Sequence, residues 1–160
     1  MTQILWAPWR MEFISKAHKK VRGCIFCSLP KKGNPRKNLV LHRGKKAFVL
    51  LNRYPYTNGH LLISPFRHFN LFEEITAEEH REMGELVARS IAALKRSVHP
   101  QGFNVGLNLG KAAGAGIEGH LHYHVVPRWV GDSNFMPIIG GTRSMPEYID
   151  ETYVKLKKYF

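Results

Sequence analysis

Cysteine is almost missing from this chain: Cys24 and Cys27 are the two in 160 residues. Two thiols three apart cannot build the disulfide framework of a small secreted domain. Long apolar runs are missing too. No stretch approaches the about 20 residues of a membrane span, and the N-terminus lacks the apolar run and cleavage site of a signal peptide. The expectation is a cytoplasmic protein with no membrane partner. Acids are scarce: 12 Asp and Glu stand against 24 Lys and Arg, for a net charge of +12. Residues 1–67 hold a single acid, Glu12, against 14 Lys and Arg, whereas residues 68–160 hold 11 against 10. Such asymmetry favours polyanionic partners and faster encounter with them. A nucleoside polyphosphate qualifies, as does nucleic acid, and a plain solvated basic surface has the same composition. No motif of a dedicated nucleic-acid module is present, so nucleic acid is not an expected partner.

What is there reads as one compact core. Residues 1–38 look irregular and basic. Leu39–His42 and Ala47–Asn52 flank Arg43-Gly44-Lys45-Lys46 as a hairpin. Tyr54–Gly59 forms a turn and His60–Ser64 a strand. Thr76 begins the clearest helix, with Glu79 at the capping-box position. Met83, Leu86, Val87, Ser90, Ile91 and Leu94 follow at helical spacing, and His99-Pro100-Gln101-Gly102 stops the run. Phe103–Leu109 and His120–Val126 are further strands. Ser144 with Glu147 suggests a second cap, with Pro146 in the first turn, for a helix ending near Phe160. Strands around one long helix predict an α+β domain with a mainly antiparallel sheet.

Three histidines, His120, His122 and His124, alternate along an apolar and β-branched run. On a strand all three imidazoles point to one face, about 6–7 Å apart, and Leu121, Tyr123 and Val125 point to the other. Three polar rings on one face need partners. They bind a metal, or they bind an anion and do chemistry on it. Just before them runs Asn104–Gly119, with Gly106, Gly110, Gly114, Gly116 and Gly119, two asparagines and Lys111. Glycine lets a backbone approach a ligand, and successive N–H groups form anion sites. The loop reads as a phosphate cradle feeding a nucleophile.

The run His120-Leu121-His122-Tyr123-His124-Val125-Val126 resembles the signature of the histidine triad (HIT) superfamily, His-φ-His-φ-His-φ-φ with φ apolar. Tyr123 is its one partly polar φ. Phe48–Pro65 resembles the strand, turn and strand of that family's nucleoside pocket. Leu5–Arg10, Cys24-Ile25-Phe26-Cys27, Pro127-Arg128-Trp129 and Gly131–Phe135 extend the likeness to the fragile-histidine-triad branch and its prokaryotic diadenosine tetraphosphate phosphorylases.

The resemblance implies a HIT-like fold in a single domain over 1–160, with a catalytic core at 39–136 and a C-terminal extension at 137–160. It implies nucleotidyl transfer from a dinucleoside polyphosphate through a covalent nucleotidyl-histidine. Orthophosphate as acceptor makes a phosphorylase that forms ADP and ATP, the leading expectation; water makes a hydrolase. A nucleoside phosphoramidate hydrolase, a DNA-repair adenylate hydrolase and a nucleotide-binding regulator are the other readings. His122 is the implied nucleophile, His124 the donor to a phosphate or leaving oxygen, and Asn108 an uncharged amide donor. Gly114, Ala115 and Gly116 form the cradle, Asn52 matches the ribose-binding asparagine, and His60 matches a histidine near the site. The family often has glutamine where this chain has Ala115-Gly116, which leaves the acceptor open. Positioning and charge suffice for such chemistry, so no organic cofactor is expected.

Cys24 and Cys27 alone could be a redox pair, two buried thiols or half of a zinc site. Resemblance to zinc-bearing relatives supplies His68 and His120 as the other half, and a structural zinc is expected there, with His120 then serving the fold. A homodimer or higher homo-oligomer, paired through the long helix and an adjoining strand, is implied by the resemblance alone.

Overall fold

The computed structural model describes residues 23–31, 33–115, 117–132 and 145–160. Its strands are β1 (Val40–Arg43), β2 (Ala47–Leu51), β3 (Leu61–Pro65), β4 (Gly102–Leu107) and β5 (Tyr123–Arg128). Its helices are α1 (Ile25–Ser28), α2 (Ala77–Val98) and α3 (Ile149–Lys157). The strands form one antiparallel sheet in the order β1-β2-β3-β5-β4. This is the expected α+β architecture. No helix among the described residues is long and apolar enough to cross a membrane.

The capping box forms as the sequence predicts: Glu79 N–H donates to Thr76 Oγ1 at 3.2 Å, and Thr76 N–H donates to the Glu79 carboxylate at 3.0 Å. The Arg67 guanidinium grips the same carboxylate at 3.0 and 2.9 Å and holds it at about 2, against the penalty of burial. α2 ends at His99, which takes a left-handed φ of 49° before Pro100.

Every residue of β2 and β3 is buried, because both faces of the sheet are covered. On one face Val49, Leu51, Leu61, Ile63 and Val125 pack against Met83, Leu86 and Leu94 of α2 and Tyr153 and Leu156 of α3. On the other, Val40, Phe48, Leu50 and Leu62 pack against Phe26 of α1. Leu62 pairs with His124 across the β3–β5 ladder, so the register places His124 on this second face. Gly59 turns the chain into β3 with φ +79°, and a Cβ there would lie 2.9 Å from Leu94 Cδ2. Only glycine meets both conditions at the turn that delivers His60.

Three expectations need correction. β5 begins at Tyr123, so His120 and His122 lie in the segment before the strand and not on it. The ladder stops because Leu121 N–H turns to Phe69 O at 2.7 Å, while Leu121 O takes the Ser64 hydroxyl at 2.9 Å. The final helix begins at Ile149 with Tyr148 at its N-cap, beyond Pro146; Glu147 instead accepts from the Thr152 hydroxyl at 2.6 Å and pairs with Lys155. Part of the segment read as irregular is the helical turn α1, which carries the cysteines. Leu5–Arg10, Gly116, Ser133–Phe135 and Ser144 lie outside the described residues.

Candidate active site

Ring nitrogens on the second sheet face are ordered by their neighbours. His60, fully buried, accepts at Nδ1 from Asn52 Nδ2 at 3.1 Å and from Tyr56 N–H at 3.2 Å. A neutral imidazole with an accepting Nδ1 carries its proton on Nε2. That Nε2 lies 2.9 Å from His124 Nδ1, which must therefore accept. His124 is left with its proton on Nε2, a buried atom without a partner among the described residues. Burial, then the neighbouring His124 and His122, pushes His60 down to about 3. Burial, then His122, pushes His124 down to about 4. Both rings are neutral at pH 7, as the donor–acceptor chain requires.

His122 is wired the other way round. Its Nδ1 lies 2.7 Å from the His120 carbonyl, which can only accept, so Nδ1 holds the proton and Nε2 keeps a bare lone pair. Burial lowers the pKa of this ring as well. It lies between the Phe26 ring, with centroids 4.6 Å apart, and the His124 ring at 4.9 Å. A lone pair and a proton-bearing nitrogen thus sit on adjacent rings, the requirement for nucleophilic attack with a donor at hand.

Beside His124 opens a cleft of about 1100 Å³, bordered by Tyr56, Asn104, Gly106, Asn108 and Trp129. Tyr56 stacks on His124 at 5.8 Å and 9°. His122 lies beneath the lining, only 7% exposed. Asn108 borders the cleft as expected and donates weakly to Gly114 O at 3.5 Å. Asn52 does not line it; its amide is committed to His60 and to Tyr54 N–H. The cradle also differs from expectation. Gly114 N–H is spent on Lys111 O at 3.0 Å and Ala115 N–H points to Gly110 O at 3.4 Å, so these two donors are used within the loop.

On the far side of His122 lies the cysteine cluster. Cys24, Cys27, His68 and His120 bring one ligand atom each within 4.8 Å of all the others. Cys24 Sγ lies 3.3 Å and Cys27 Sγ 3.6 Å from His120 Nδ1, Cys27 Sγ lies 3.3 Å from His68 Nδ1, and the two Nδ1 atoms are 3.2 Å apart. Zinc bonds to nitrogen and sulfur give a tetrahedron with edges of about 3.3–3.8 Å. Four of the six separations, 3.2–3.6 Å, are close to those edges, and two thiols with two imidazoles form a donor set that fits zinc. His120 Nε2 donates to Pro65 O at 2.9 Å, which bares Nδ1 toward the other ligands. Burial pushes His120 down to about 4 and keeps it neutral, the state in which it can ligate.

The structure thus brings together His60, His122 and His124 as one network and Cys24, Cys27, His68 and His120 as another. Phe26 and Tyr56, which touch the reactive rings, escaped the reading of the sequence. Phe26 lies between the two cysteines and Tyr56 in the turn before His60, yet no spacing rule says which ring either will meet.

The HIT domain family model matches residues 34–130. An AP-4-A phosphorylase of Mycobacterium tuberculosis is 40% identical over 157 residues, covering 94% of this chain and 80% of its own length. Among solved structures, a zinc-bound histidine triad family protein from Mycobacterium smegmatis aligns with a TM-score of 0.68 at 27% identity, covering 86% of this chain and 92% of that one. A hypothetical histidine triad nucleotide-binding protein from Sulfolobus tokodaii aligns with a TM-score of 0.65 at 28% identity, covering 85% of this chain and 88% of that one.

Proposed function

The chain belongs to the HIT family, and on that premise we propose that it transfers a nucleotidyl group from a dinucleoside polyphosphate through His122, with diadenosine tetraphosphate as substrate and orthophosphate as acceptor. The observation that carries this reading is the pair of opposed tautomers: Nε2 bare on His122, Nε2–H on His124. The name of the mycobacterial relative supports the substrate.

In the first step the His122 Nε2 lone pair attacks the α-phosphorus, forming a P–N bond as the P–O bond to the departing ATP breaks. His124 Nε2–H donates to the leaving oxygen. Its proton is backed by His60, whose own Nε2–H faces His124 Nδ1. In the second step an orthophosphate oxygen attacks the same phosphorus, the P–N bond breaks, and ADP forms with the His122 lone pair restored. Asn108 supplies an uncharged donor at the cleft wall. The glycine loop shapes that wall while its Gly114 donor stays within the loop.

Cys24, Cys27, His68 and His120 are the residues that would hold zinc. Such an ion supplies four bonds joining α1 to the segments around His68 and His120, and takes no part at phosphorus. Elemental analysis should find roughly one zinc per chain. β4, an edge strand with Val105 43% exposed, is the surface offered to a second copy of the chain; light scattering tests the dimer.

The deciding experiment incubates the protein with diadenosine tetraphosphate, with and without orthophosphate. ADP and ATP in equal amounts, only when phosphate is present, support phosphorolysis. AMP and ATP without phosphate make the enzyme a hydrolase. Tight nucleotide binding without turnover makes it a regulator and ends the catalytic reading.

A further inference from the structure

Phe26 stands where the two networks meet. It is fully buried, 4.6 Å from the His122 ring and 5.3 Å from the His120 ring. The element that carries it is slight: α1 spans four residues and has no side-chain cap. A helix of one turn does not persist by its own hydrogen bonds. Cys24 and Cys27 bracket Phe26 in sequence, so once both sulfurs are tied to the cluster the ring between them has its place. The second restraint on His122, the carbonyl that takes its Nδ1–H, belongs to His120, another cluster residue. These two restraints depend on the cysteine–histidine set, whereas the His124 ring, 4.9 Å away, packs against His122 independently of it.

An imidazole held by one N–H···O bond can still swing about that bond. A ring packed against it at 4.6 Å and a tilt of 35° limits the swing and aims Nε2 along one line. We propose that Phe26 is a positioning residue for His122, held in place by the Cys24, Cys27, His68 and His120 set. The kinetic part of the test rests on the nucleotidyl-transfer reading; the spectroscopic part does not. Misplacing a reacting atom by about 1 Å costs on the order of 100-fold in rate with little change in binding.

The test compares the zinc-loaded protein with its Phe26→Leu variant, which keeps an apolar side chain but loses the flat face. Leu156→Ala, which opens space on the opposite face of the sheet, controls for stability. Side-chain 15N–1H correlations of His122, recorded without nucleotide, report its tautomer. In the parent protein His122 should show a single Nδ1–H form. In Phe26→Leu, and in the parent stripped of metal by a chelator, the two ring nitrogens should move toward averaged shifts. kcat of Phe26→Leu should fall about 30–100-fold with KM within about threefold, while Leu156→Ala keeps its kcat. Unchanged His122 resonances in Phe26→Leu or in the stripped protein overturn the proposal, as does an equal loss of kcat in both variants. Shifted resonances in a protein whose parent never turns over uphold the positioning role and sink the nucleotidyl-transfer reading instead.

Discussion

His120 and His124 flank His122 and are wired in opposite senses. His120 meets the Pro65 carbonyl with Nε2, so its bare Nδ1 faces two thiols and His68. His124 meets another imidazole with Nδ1, so its proton sits on Nε2, a buried atom without a partner among the described residues. One residue type, four positions apart, bares a nitrogen toward two thiols at one end and keeps an N–H at the other. The first partner of each ring decides its tautomer, and the tautomer decides its chemistry. His122, between them, donates to the His120 carbonyl and packs against the His124 ring.

Substitutions should separate the two ends, and the largest effect belongs to the residue between them. His122→Ala removes the bare Nε2. Turnover should fall by about 10⁴-fold or more, with nucleotide affinity within a few fold in equilibrium binding. Activity within tenfold of the parent would move the nucleophile elsewhere. Next come the ends themselves. Cys24→Ser should lose the metal and lower the melting temperature by about 10 °C or more. His60→Gln should leave metal content and melting nearly intact yet cut kcat about 100-fold, because His124 loses the donor that sets its tautomer. If both variants melt early and both keep kcat, the ends are not distinct.

A smaller effect separates the ends by pH. His60 and His124 sit near 3 and 4 in the folded chain, below the ordinary histidine value of 6.5. The unfolded chain therefore binds more protons than the folded one between those limits. Their contribution to stability is complete above pH 6.5 and is lost progressively as pH falls toward 4. The denaturation midpoint should drop between pH 7 and pH 5, with a shallower slope in His60→Gln. Equal slopes would remove His60 from this linkage. The smallest expected change is at the turn that delivers His60. Gly59→Ala should cost about 1–2 kcal/mol in denaturant unfolding through its positive φ and the contact with Leu94.

Some of this molecule was readable before folding. The capping box at Thr76 and Glu79 and the buried stripe of α2 are local patterns, and they form where the spacing predicts. The hairpin of β1 and β2 lies within a residue or two of its expected bounds. Cys24, Cys27, His68 and His120 were proposed together through resemblance, and their ligand atoms do converge. The alternation predicts a strand under all three histidines, yet β5 starts only at Tyr123, because alternation describes side-chain direction and not hydrogen bonding. The ladder ends where Leu121 N–H finds Phe69 O, a partner 52 residues away. The donors of Gly114 and Ala115 were misread for a similar cause: a glycine-rich composition permits an anion nest, but these N–H groups close a turn on Gly110 and Lys111.

By itself the sequence determined periods, caps, charge and the kinds of side chain at hand, since each depends on neighbours within a turn of helix or a few strand positions. Only the tertiary structure decided which nitrogen of each histidine is bare. That choice depends on atoms far along the chain, Pro65 for His120 and His60 for His124, and no local spacing encodes which lone pair a distant carbonyl or imidazole will meet.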